Sequence, residues 1–215
     1  MSEMTMAAPA MAETTTSRRD GATRAVPWGA RAAVAAPVVA VFGFVVGMPT
    51  YSEDLADVAG GPRWVLATTT ALAVLLLLAL GLLALYASQA HAFGTFGHVA
   101  GLLALLGTIL AAGGAWDSVF TVPYLAEHAP AVLERSTSGS LLAGYFGSYA
   151  VFVIGWAAFA VATLRARVLP RRASIVLLAG AVLAFLPAPT SLRVLVLAIA
   201  CALLSRSLLR ASARS

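Results

Sequence analysis

Long apolar runs broken by short polar connectors dominate this chain. Six runs stand out: about Ala32 to Met48, Val65 to Tyr86, Val99 to Phe120, Leu141 to Leu164, Ala173 to Leu186 and Leu192 to Leu209. A helix needs about 20 apolar residues to cross the hydrocarbon core of a bilayer. At that depth no water bonds the backbone, so each run must satisfy its own amides as a helix. The pattern predicts an all-α, polytopic transmembrane helix bundle with six spans, occupying residues 28–209. Residues 1–27, without apolar period, read as a disordered tail, and 210–215 as a second short tail.

Details within the runs refine this. Val65 to Tyr86 is the strongest span, with Trp64 and Tyr86 at its ends where amphipathic rings favour the interface. Those 22 residues give about 33 Å of helix, close to one bilayer core. Gly43 with Gly47 and Gly97 with Gly101 form GxxxG pairs, read here as helix packing. Pro37 lies inside the first run, while Pro123 and Pro130 are expected to end the third helix by stages and open a polar loop to about Ser140. The last two runs are short. They read either as two thin spans or as a re-entrant hairpin closed by Pro187-Ala188-Pro189. A hairpin would hold Arg193 near the midplane, at a cost of about 2.5 to 3.5 kcal/mol, so two spans are preferred.

Charge then sets the threading. All fourteen basic residues are arginine, and the formal net charge is +5. Eleven arginines fall on one side of a six-span chain; only Arg63, Arg135 and Arg193 fall on the other. The positive-inside rule places both termini in the cytoplasm. Arginines set beside apolar runs, without a separate basic domain, argue against nucleic acid as a partner. Charged residues make up 11% of the chain and mean hydropathy is +0.90, which excludes an ordinary water-soluble core. Ser17-Arg18-Arg19 is followed by Asp20-Gly21, where a twin-arginine signal would carry apolar residues. Cys201, the single cysteine, reads as a small buried apolar residue.

Candidate chemistry is sparse. No HExxH, P-loop or GxSxG motif occurs, so no catalytic residue, metal ligand or cofactor is assigned. His91 and His98 share one connector and His128 lies across the membrane from them, which is wrong for a bis-histidine haem. Trp116-Asp117 is the one place where an acid follows directly on a membrane-grade run. With Glu127, His128 and Arg193 it forms a candidate polar site, in which Asp117 would pair with Arg193 beneath the outer loops. Tyr145, Tyr149, Phe152 and Trp156 recur at helical spacing and form one face. Tyr145, Tyr149 and Trp156 are the candidate wall of a small-molecule cavity.

The stretches GTILAAGGAWDSVFTVPYLAEHAP and ATLRARVLPRRAS resemble, in composition and style, uncharacterised small multi-pass integral membrane proteins of high-GC bacteria. The resemblance implies a multi-pass protein of the bacterial plasma membrane and carries no activity. Three functions remain open on the residues alone. The first is an accessory or regulatory membrane subunit, with the lipid bilayer and a membrane-protein partner or second copy as its surroundings. The second is a small transporter or permease with a polar site near Trp116-Asp117. The third is a membrane-embedded enzyme acting at the outer interface.

Overall fold

The computed structural model describes residues 9–47, 58–134, 139–183 and 190–212. Among these residues seven α-helices follow one another: α1 (Pro9–Gly47), α2 (Pro62–Gln89), α3 (Thr95–His128), α4 (Pro130–Glu134), α5 (Gly139–Ala166), α6 (Arg171–Leu183) and α7 (Thr190–Ser212). No strand occurs among the described residues. Among the described residues, four helical stretches are long and apolar enough to cross a membrane: Val26–Gly47, Pro62–Ala92, Thr95–His128 and Gly139–Ala166. With 13 residues, α6 reaches only about 20 Å.

Two boundaries differ from expectation. Helix α1 begins at Pro9, inside the stretch read as an unstructured tail. Alanine, methionine and glutamate there favour helix, and the apolar period needed for packing is what the sequence lacks. Helix α3 runs through Pro123 to His128, where a loop was expected. Proline removes one amide and crowds the preceding turn, but neighbouring groups can hold the helix together across it. The Val58–Gly61 turn supplies part of that support, because Gly60, at φ +94°, lies against Pro123. Trp64 Nε1 supplies more, donating to the Ser118 carbonyl at 3.0 Å.

Consecutive helices pack side by side, and α7 returns to lie against α1 and α2, which closes the ring. Small residues set the close approaches. Ala30, Ala33, Ala36 and Ala40, at steps of three and four, form one wholly buried face of α1. A Cβ on Gly81 of α2 would lie 2.5 Å from the Ala33 Cβ, and one on Gly43 would lie 2.8 Å from Thr70 Cγ2. Helices α3 and α5 touch backbone to backbone. A Cβ on Gly107 would collide with the Phe152 backbone, and one on Gly155 would lie 2.6 Å from the Ala104 nitrogen. The GxxxG pair Gly97 and Gly101 meets Phe93 and Tyr86, so it serves packing within the chain.

The core joins Leu78, Leu82 and Leu85 of α2 to Trp156 and Phe159 of α5 and Leu197 and Leu204 of α7. Cys201 is buried and free. Outward, the helices carry large apolar side chains such as Leu76, Leu80, Leu102, Leu106 and Ile109. Water alone does not tolerate an apolar surface on this scale, whereas hydrocarbon does.

Candidate functional site

Helix α3 carries four of the five residues of the candidate polar site, and it spreads them out. Trp116 is half exposed and its ring lies 5.2 Å from that of Phe120. Asp117 is exposed, with no hydrogen-bond or ion-pair partner among the described residues. Ten residues of continuous helix, about 15 Å, separate Asp117 from Glu127. Glu127 and His128 do meet, at 4.0 Å between Oε2 and Nδ1, an ion pair only when the imidazole is protonated. His128 also stacks on Tyr124 at 4.4 Å, and its Nδ1 lies 3.0 Å from the Tyr124 carbonyl. A donor is needed toward that carbonyl, so the neutral ring carries its proton on Nδ1. The side chain of Arg193 lies outside the described set. Asp117 and the Glu127–His128 pair therefore do not form one site, because the expected loop that would fold one over the other is helix.

The aromatic face of α5 forms as expected but changes environment along its length. Tyr145 is exposed, Tyr149 is half-buried, and Phe152 and Trp156 are buried. Phe152, Trp156 and Phe159 contact one another in sequence at 6.4 and 6.2 Å between ring centres. Trp156 Nε1 donates to Thr108 Oγ1 at 3.0 Å, and Thr108 donates in turn to the Ala104 carbonyl at 2.7 Å. Trp156 thus works as the core anchor between α5 and α3, with its one polar atom satisfied. A buried indole placed this way holds two helices in register.

A second set of polar groups, unmarked in the sequence, is buried on three different helices. Gln89 of α2, Thr163 of α5 and Ser205 of α7 are each fully buried. Gln89 Nε2 donates to the Leu85 carbonyl at 2.9 Å, which leaves Oε1 without a partner. Thr163 Oγ1 and Ser205 Oγ are likewise unpartnered. Other helical hydroxyls here bond their own backbone: Thr68, Thr70, Thr108 and Ser118 each donate to the carbonyl four residues earlier. Two guanidiniums lie over aromatic rings, Arg31 over Trp28 at 5.3 Å and Arg165 over Phe96 at 5.0 Å. The three-residue step from Trp28 to Arg31 is the one signal by which a sequence reader would have found the first of these.

No group of three or more histidine, cysteine or acidic side chains suited to a metal occurs among the described residues. Comparison with protein-family models, with curated proteins and with solved structures finds no match to this chain.

Proposed function

We propose that this chain is a non-enzymatic accessory or regulatory subunit of a bacterial plasma membrane, and that it holds a partner membrane protein against the far halves of α3 and α5. One observation carries the reading. Gly113 and Gly114 of α3, and Gly139, Gly144 and Gly147 of α5, have nothing within 4 Å of an added Cβ. Every residue from 139 to 147 is exposed, including Tyr145 and Phe146. Glycine in a helix costs about 1 kcal/mol relative to alanine. Small residues in membrane helices are favoured where another helix comes close. Elsewhere in this chain glycines serve that purpose; here nothing among the described residues uses them. A helix from a partner fits this surface, with Trp116, Tyr145 and Phe146 beside it as aromatic contacts.

Photo-crosslinking in cells tests this. A photoreactive residue at Tyr145 should give a protein adduct, and one at Leu102, on the exposed apolar side of α3, should not. Gly144→Leu should remove the adduct. Equal protein adducts from both positions would sink the reading. An adduct of twice the chain's own mass would make the partner a second copy.

Six spans with both termini in the cytoplasm form the second part of the proposal. The arginine distribution supports it. So does the packing of α7 along both α1 and α2. With 23 residues, about 34 Å, α7 is long enough to cross. In a Cys201→Ala background, Ser136→Cys should react with an impermeant thiol reagent in intact cells and Val168→Cys should not. The opposite pattern would invert the threading. Ser174 is a poor reporter, because it is buried.

A further inference from the structure

The middle of α1 and the C-terminal part of α2 leave a groove between them of about 900 Å³. Its origin is in the side-chain sizes. Gly29 and Ala33 bring α1 close to Leu80, Gly81 and Ala84 of α2. Alanines then form a low floor, while Trp28, Arg31, Leu80, Leu83 and Tyr86 stand higher around it. Arg31 is the only charged residue among the described residues lining the groove, and its guanidinium lies over the Trp28 ring. The floor is apolar; along α1 the lining passes from Trp28 and Arg31 to Ala32 and Ala35, with the guanidinium turned back over the Trp28 ring.

We infer that this groove binds one anionic glycerophospholipid, with an acyl chain on the alanine floor and the phosphate at Arg31. The chemistry separates along the groove as it does along a lipid. Hydrocarbon matches the floor, an anion matches Arg31, and Trp28 and Tyr86 lie at headgroup level. A helix from another protein would also cover apolar floor, but it would leave Arg31 without a counter-charge. Stacking on Trp28 holds the guanidinium in place, so less side-chain freedom is lost when the phosphate arrives. The inference rests on the membrane reading and is independent of the partner face on α3 and α5.

Native mass spectrometry of the whole chain, released from neutral detergent, reads this directly. Phosphatidylglycerol should be retained about fivefold more than phosphatidylcholine, as expected for one arginine near a membrane surface. Arg31→Gln should reduce the ratio to about one, and Arg31→Lys should keep most of it. Arg165→Gln, on the other guanidinium–aromatic pair, should leave the ratio unchanged. Ala35→Leu fills the floor and should lower retention of both lipids together, so it tests the groove even if Arg31→Gln misfolds. Equal retention of the two lipids by the unaltered protein would overturn the proposal. So would full competition by soluble glycerol phosphate, which would reduce the site to an anion site without an acyl chain. Purification of the chain as a monomer without any detergent would instead defeat the membrane reading beneath it.

Discussion

The two halves of the α3–α5 pair are made of similar residues and do opposite things. Around Ala104, Gly107, Phe152 and Gly155 the backbones touch, and Trp156 is fixed to Thr108 across the seam. Two turns farther on, Gly113, Gly114, Gly144 and Gly147 meet nothing among the described residues, and the aromatic residues beside them are exposed. Glycine content alone does not distinguish a seam from an open face. What distinguishes them is whether the opposite helix presents backbone at the same height.

The sharpest way to break the comparison is to place one bulky residue in each half. Gly107→Leu drives a side chain into the Phe152 backbone and should lower stability by about 3 kcal/mol or more. Gly113→Leu should leave stability unchanged or raise it by up to about 1 kcal/mol, since leucine is the better helix former and the space is free. Unfolding midpoints in one detergent check both. Equal losses would mean that the two halves are packed alike.

A subtler contrast uses a single substitution type at two buried threonines. Thr108→Val removes the acceptor of the Trp156 indole and should cost about 1 to 3 kcal/mol. Its effect should be non-additive with Trp156→Phe, because the two changes delete one bond. Thr163→Val removes a hydroxyl that already has no partner, so it should be neutral or stabilising by about 1 kcal/mol. Denaturant titration of the three variants and the double variant reads the sign. A loss at Thr163 as large as that at Thr108 would show that Thr163 is bonded in the membrane.

The smallest effect is expected at Asp117. It is exposed and unpaired among the described residues, so Asp117→Asn should shift stability by no more than about 0.5 kcal/mol. A larger loss would bring back a charge partner for it.

The four long helices were legible in the sequence because a bilayer-length apolar run admits little besides a helix. The extension of α3 was not, because Pro123 reads locally as a stop. What holds the helix through it, Trp64 on Ser118 and Gly60 against Pro123, comes from residues more than fifty positions away. The same proline shaped the expectation around Asp117: a loop could bring Glu127 and His128 back toward it, whereas continuous helix sets Glu127 about 15 Å farther along. Periodicity did find the aromatic face of α5. It could not say that Trp156 faces Thr108 in a core, whereas Tyr145 faces outward. Gln89, Thr163 and Ser205 carried no signal at all, since an isolated polar residue in an apolar run looks the same whether or not its oxygen finds a donor.

The contact of α7 with α1 has a consequence for biogenesis. The alanine face of α1 leaves the ribosome well before α7, whose Leu197, Ala198, Cys201 and Leu204 are fully buried. Hairpins such as α1–α2 and α3–α5 can form as soon as their own residues are made, but the ring cannot close until α7 follows. Until then α1 keeps an uncovered flank, which chaperones and proteases can reach. Helix α7 is thus the timer of assembly: a nascent chain arrested before Thr190 should remain degradable, and one extended beyond Ser212 should become resistant in a single step.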